Sequence, residues 1–192
     1  IELDDRTRGV VPNIEWKLKR DGIKWTPGET LNASIGQGYI LSTPLQLVTM
    51  VARIANGKFA VEPSLIIQKE IKKFKKLDIN SAHLNFIRKA MEEVISGKKG
   101  TARNYKIGVR NVEMAGKTGT VQVVRISEAE REKGLLKNED RIWKKRDHAL
   151  FVGYAPVKKP RYAISIVVEH GGSGSSTAAP IARDVFKNLL KV

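Results

Sequence analysis

The sequence predicts an α+β fold, an antiparallel sheet flanked by helices, and three patterns along its 192 residues predict it. Apolar residues recur at helical spacing in two segments, one opening at Thr43-Pro44 and one near Ser81. The stretch 113–124 is β-prone. The C-terminal part then reads strand, turn, strand, helix with short links.

The elements follow in chain order. Residues 1–40 read as irregular structure punctuated by Pro12-Asn13, Asp21-Gly22 and Pro27-Gly28. Trp16 and Trp25 are expected to pin this segment onto something larger, because indoles seldom sit in free coil. Thr43 suits an N-cap, and Pro44 suits the first helical position, where its missing N–H costs nothing. Leu47, Val48, Val51, Ile54 and Ala55 form the stripe that follows, and Gly57 fits the stop. Residues 59–67 read as a short strand or extended segment. In the second helix Leu84, Ile87, Met91, Val94 and Ile95 form the apolar stripe, ended by Gly97. Residues 101–112 read as loop with a short helical turn. From Arg125 to Asp147 charges of both signs are dense and apolar residues few, which marks a surface insertion, mobile or partly helical. Strands are expected over 149–154 and 162–168, joined by the turn Pro156–Pro160. A Gly/Ser-rich loop, 171–176, leads to a terminal helix carrying Ile181, Val185 and Leu189, with Ala182, Phe186 and Leu190 beside them. There are no internal repeats.

Composition narrows the function classes. The absence of cysteine excludes disulfides, thiolate catalysis and Cys-ligated zinc. Three scattered histidines without paired carboxylates do not make a metal site. No apolar run approaches the roughly 18 residues that span a bilayer. The first residues lack a signal peptide's basic start and apolar stretch, and no initiator Met precedes them. The chain therefore reads as a piece of something longer, with any membrane anchor or export signal expected upstream. The net charge of +15 raises nucleic acid or an anionic surface as partners. The basic residues are spread along the chain without a base-reading motif, so no nucleic-acid partner is expected. A solvated basic face near a negatively charged membrane or wall accounts for the charge equally well.

The residues that carry chemistry are Lys117-Thr118-Gly119-Thr120, reached through Met114-Ala115-Gly116. Lys-Thr-Gly is a signature of serine acyl-transfer enzymes, and for that chemistry on a peptide ending in a carboxylate Lys117 can supply the nearby cation that attracts it. The Thr118 and Thr120 hydroxyls can donate hydrogen bonds that orient the carboxylate. Gly119 lets a substrate backbone lie close, as in strand addition. The Thr120 N–H is the natural second donor of an oxyanion hole. In a regular pleat, 117 and 119 share one face and 118 and 120 the other. Taken alone, the four residues fit a solvent-facing edge strand just as well; the surroundings decide.

Lys-Thr-Gly is one of three signatures shared by class A β-lactamases and penicillin-binding proteins. The run Gly36-Gln37-Gly38-Tyr39-Ile40-Leu41-Ser42-Thr43-Pro44-Leu45-Gln46 resembles a helix start of class B penicillin-binding proteins. Gly100-Thr101-Ala102, Phe151-Val152-Gly153-Tyr154-Ala155-Pro156, and Glu169-His170-Gly171-Gly172 with Ala178-Ala179-Pro180 resemble that family in order and spacing. Glu2-Leu3-Asp4-Asp5-Arg6, Trp16-Lys17 and Arg146-Asp147-His148 are most similar to its elongation class, the penicillin-binding protein 2 group.

The resemblance implies the serine β-lactamase/penicillin-binding transpeptidase fold and a serine D,D-transpeptidase that cross-links peptidoglycan stem peptides. It also implies acylation of the serine by β-lactams, elongation-complex proteins as partners, no metal or organic cofactor, and a place at the extracytoplasmic face of the inner membrane. On it, Lys117 and Thr120 are catalytic, and Thr118, Gly119 and Thr120 bind substrate. Residues 1–192 would form the C-terminal portion of a single transpeptidase domain.

The family's Ser-x-x-Lys nucleophile and Ser-x-Asn motifs are another matter. No Ser-x-Asn occurs, and the sole Ser-x-x-Lys, Ser96-Gly97-Lys98-Lys99, follows a helix instead of starting one. The nucleophilic serine is therefore expected in an upstream half of the same domain, and the isolated chain is expected to be inactive. His83 reads as a solvated or capping residue and His170 as loop support. His148 beside Asp147 could be a catalytic pair, but a structural hydrogen bond fits better. The Glu128–Asp140 cluster reads as a solvated face or partner surface. The rival readings are a β-lactam sensor or β-lactamase of the same fold, a division-class transpeptidase, and a non-enzymatic basic binding module.

Overall fold

The structure, a computed structural model, describes residues 9–66, 73–124, 132, 134 and 136–191. Glu2 to Arg6 thus lie outside the described residues, as do 125–131 of the charged insertion with Glu128. The chain forms two compact units, Ile1–Gln46 and Leu47–Val192.

The first unit corrects the expectation of irregular structure, because it holds two short helices, α1 (Ile14–Asp21) and α2 (Pro27–Ser34). The turn formers that pointed to coil are the ends of these helices. Asn13 accepts a hydrogen bond from the Trp16 N–H at 2.8 Å, satisfying one of the donors a helix start leaves over. Gly22 closes α1 in the left-handed conformation, with its N–H on Leu18 O at 2.9 Å. At α2 the Thr26 N–H donates to Glu29 Oε2 at 2.7 Å, with Pro27 in the first turn. The ion pair of Lys17 with Glu29 ties α1 to α2, and Lys17 is buried. The tryptophans have local partners among the described residues. Trp16 meets Tyr39 edge-on at 5.4 Å under the Arg20 guanidinium, and Trp25 Nε1 donates to Thr30 Oγ1 at 2.8 Å. The N-cap expected at Thr43 is present. The Thr43 N–H donates to Gln46 Oε1 at 2.9 Å, and the Gln46 N–H returns to Thr43 Oγ1 at 3.2 Å.

The second unit is built on a three-stranded antiparallel sheet of β1 (Ala115–Val121), β2 (His148–Ala155) and β3 (Tyr162–Val168), in that spatial order. β1 pairs with β2 from Ala115 opposite Tyr154 to Val121 opposite His148. Side chains alternate across a strand, so the register sorts two cores. On one face Ala149, Phe151 and Ala155 pack with Ala179, Ala182 and Phe186 of the terminal helix α5 (Ala179–Leu190). On the other, Ala115 and Tyr154 pack with Val51 and Ala55 of α3 (Pro44–Asn56). The helix α4 (Ser81–Ser96) gives Ile95 to the first cluster and Met91 to the second. Helices thus flank both faces, as the α+β prediction requires.

The apolar stripes shift in detail. In α4 the buried residues are Leu84, Met91 and Ile95, whereas Ile87 is exposed. In α5 the buried line is Ala179, Ala182 and Phe186, while Ile181 and Leu189 face outward. The helix turns its small residues to the sheet, where they let the backbones approach. The segment expected to be extended at 59–67 contributes only a single bridge, Phe59 to Lys76, among the described residues. The Gly/Ser loop tightens into one wide helical turn, Gly174–Ala178, leading directly into α5. Of the charged insertion, the end nearest β2 is ordered in two short turns, Asn138–Asp140 and Trp143–Lys145.

Candidate active site

Lys117-Thr118-Gly119-Thr120 lies in the middle of β1, an edge strand whose ladder partner is β2. Ala115 and Gly116 are buried, Thr118 and Gly119 half-buried, and Lys117 and Thr120 exposed. The strand therefore starts inside the core and emerges at the motif, which is what fixes its backbone while leaving its polar groups reachable.

Lys117 donates from Nζ to Thr118 O at 2.7 Å, and among the described residues no carboxylate lies within ion-pair distance of it. The Thr118 hydroxyl sits 2.9 Å from Thr101 Oγ1. Thr101 follows the turn after α4, and its neighbour Ala102 is fully buried with its N–H on Val94 O at 3.0 Å. Thr101 is the site neighbour that sequence reasoning missed. Seventeen positions separate the two hydroxyls, and no periodicity or turn rule links them.

The wide turn after β3 completes the surroundings. Gly174 lies against the backbones of Gly119 and Leu150, so close that a Cβ there would collide with both carbonyl oxygens. The hydroxyls of Ser173 and Ser175, on either side, meet each other at 2.9 Å.

The other sequence candidates resolve into structural roles. Asp147 and His148 do not form a pair. Asp147 receives Asn138 Nδ2 at 3.0 Å and faces Arg141 at 3.6 Å, while its own N–H donates to Asn138 Oδ1 at 3.0 Å. His148 Nδ1 accepts the His170 N–H at 2.9 Å, so the structural reading of His148 holds. His170 Nδ1 lies 3.0 Å from Arg146 O, and its ring meets both His148 and Trp143 edge-on, which supports the loop as expected. His83 is exposed on α4. Ser96 is the last residue of α4 and donates to Glu92 O at 3.0 Å. A hydroxyl at a helix's final turn faces carbonyls, which raise rather than lower the cost of an alkoxide. Among the described residues no cluster of three metal-ligating side chains occurs.

The motif thus sets one cation and two hydroxyls along an edge strand. A family model for the penicillin-binding protein transpeptidase domain matches residues 1–187.

The chain belongs to the penicillin-binding protein transpeptidase family.

Its sequence is 37% identical over 200 residues to the peptidoglycan D,D-transpeptidase MrdA of Acinetobacter baumannii, covering 99% of this chain and 28% of that protein. The MrdA of Haemophilus influenzae is 33% identical, with 99% of this chain and 30% of that protein covered. Among solved structures, the complex of penicillin-binding protein 2 with MreC from Helicobacter pylori matches with a TM-score of 0.81 and 34% identity, over 97% of this chain and 32% of that one. Pseudomonas aeruginosa PBP2 in complex with WCK 5153 gives 0.71 and 34%, over 95% and 38%. The penicillin-binding fold and the elongation-class resemblance read from the sequence are both borne out. This transpeptidase-family chain spans about a third of the length of the relatives it matches.

Proposed function

We propose that the protein to which this chain belongs is a peptidoglycan D,D-transpeptidase of the elongation class. The single observation that carries the reading is the emergence of Lys117-Thr118-Gly119-Thr120 on an open strand edge within a family match covering residues 1–187. In this reading a stem peptide lies along β1. Lys117 draws in its terminal carboxylate, the Thr118 hydroxyl orients it, and Gly119 leaves room for the peptide backbone. The main-chain amide at Thr120 stabilises the oxyanion at the reacting carbonyl. A serine Oγ attacks the penultimate D-Ala carbonyl, the peptide C–N bond breaks and terminal D-Ala leaves. The amine of a neighbouring stem then attacks the ester, forming the cross-link and freeing the serine. β-Lactams acylate the same serine.

That serine belongs to a part of the domain outside these 192 residues, which form its C-terminal portion. The support is the placement of Ser96, whose Ser-x-x-Lys string closes a helix. The MreC complex of the similar Helicobacter pylori protein supports an elongation-complex partner. The working place is the extracytoplasmic side of the inner membrane, reached through a segment not contained here. No described helix is long and apolar enough to cross a membrane.

Labelled penicillin tests the reading on the intact protein. Lys117→Ala is expected to slow acylation about 100- to 1,000-fold. An unchanged rate would remove the motif from the active site, and an acyl adduct on the isolated 192-residue chain would overturn the external nucleophile.

A further inference from the structure

A recess lies in the Leu47–Val192 unit, and none of its lining residues belongs to the motif. It has a volume of about 590 Å³ and opens between the end of α3, the start of the 58–61 segment, α4 and the β2–β3 turn. Four cationic residues line it, Lys58, Arg88, Lys158 and Arg161, and no acidic residue does. Phe59 and Tyr162 provide aromatic wall. Among the described residues none of the four cations has a carboxylate within 4.0 Å.

The lining is held in place by the fold. Arg53 Nε donates to Val61 O at 2.9 Å, fixing the 58–61 segment against α3. Gly57 ends α3 with φ +67°, and a carbon added to it would lie only 3.3 Å from Arg88 Nη1. The glycine thus gives the turn its left-handed residue and leaves the guanidinium its space. Arg161 stacks over Tyr162 at 5.2 Å, and Lys58 over Phe59 at 5.1 Å. Like charges gathered with no described carboxylate in ion-pair reach repel one another, and an anion brought among them relieves that repulsion. Two guanidinium groups and two ammonium groups exceed what one carboxylate can neutralise. They match the higher charge and multiple acceptor oxygens of phosphate, which arginine grips bidentately.

We infer that this recess is an anion site for a phosphate or diphosphate group, separate from the carboxylate-binding motif. None of its lining residues belongs to Lys117–Thr120. Its wall residue Ala163 lies on β3, which pairs with β2 and is thus two strands from the motif strand β1. The group could arrive on a soluble molecule or on a lipid headgroup, and the same four residues would meet either.

The test uses the intact protein with two probes, inorganic pyrophosphate followed by titration calorimetry and vesicles of phosphatidylglycerol in phosphatidylcholine followed by sedimentation. Lys158→Gln, on an exposed turn, and Arg88→Gln are each expected to weaken binding about tenfold, the loss of one charge-assisted contact. Lys106→Gln removes an exposed charge elsewhere and is expected to change nothing. Pyrophosphate binding sensitive to the two pocket variants identifies a soluble source, and vesicle binding with that sensitivity but no pyrophosphate binding identifies a headgroup. Absence of binding to both probes overturns the inference. So does an equal loss in Lys106→Gln, which would make the attraction one of diffuse net charge. Penicillin acylation is expected to be unaffected in all three variants, which keeps this site's test apart from that of the motif.

Discussion

Strands β1 and β2 are paired residue for residue, yet they are built for opposite purposes. In β2, Ala149, Phe151, Gly153, Tyr154 and Ala155 are buried, and strands lie on both its sides. In β1 burial stops at Gly116, and from Lys117 onward the strand is open or half-open. Thr118 sits directly opposite Phe151, so a half-buried residue of the motif is paired with one of the most buried rings in the unit. The lesson is a division of labour within one ladder. Backbone pairing transmits the rigidity of β2 to β1, and β1 can then carry exposed and half-buried polar side chains without losing their positions.

Substitutions can break that contrast, beginning with the largest expected loss of stability. Phe151→Ala empties the α5-facing core and should lower unfolding stability by about 3–5 kcal/mol, read from denaturant midpoints. Lys117→Ala, one ladder position away on β1, should stay within about 0.5 kcal/mol of the parent despite its effect on acylation. Equal destabilisation by the two would erase the distinction. Gly174→Val forces a side chain into the Gly119 and Leu150 backbones and should cost about 1–3 kcal/mol. It should also slow penicillin acylation in the fraction that remains folded, because the displaced atoms belong to the motif strand. Thr101→Val keeps the shape but removes the partner of Thr118. About 0.5–1.5 kcal/mol is expected, seen as a weaker discrimination for substrates bearing the terminal carboxylate.

The last prediction sharpens the comparison from outside the sheet. The hydrogen bond from Lys17, followed by that of the Thr26 backbone, holds the Glu29 carboxyl below its ordinary value of 4.5. A depressed folded-state value means the stabilisation is complete above that ordinary value and is lost as pH falls through the lower, folded value. Acid should therefore loosen α1 and α2 while the neutral ladder of β1 and β2 persists. Amide exchange at Lys17–Asp21 measured down the pH range checks this, and Glu29→Gln should flatten the dependence.

Legibility in the sequence followed the range of the interaction concerned. Capping at Thr43 and Gln46, the glycine stop at 57 and the β2–β3 hairpin are set within a few residues, and each was readable. The helices at 14–21 and 27–34 were missed although their signals are equally local. Asn13, Gly22 and Thr26-Pro27 serve as helix ends or as coil markers, and short apolar stripes could not decide between them. The exposure of Ile87 and Ile181 could not be read either, since an amphipathic stripe defines a face and not which edge of it meets the sheet. Asp147 and His148 adjoin in sequence, but the pleat of β2 and the bond to Asn138 send them to different partners.

By itself the sequence determined the order of elements, the motif's place on a strand and the family to which it belongs, because these rest on periodicity, turn chemistry and residue order. Only the tertiary structure decided that β1 lies at the sheet's edge, that Thr101 meets Thr118, and that four distant cations share one recess. Those outcomes depend on which strand pairs with which and how closely backbones approach. Contacts of that kind join residues far apart in the chain, where no local rule of spacing applies.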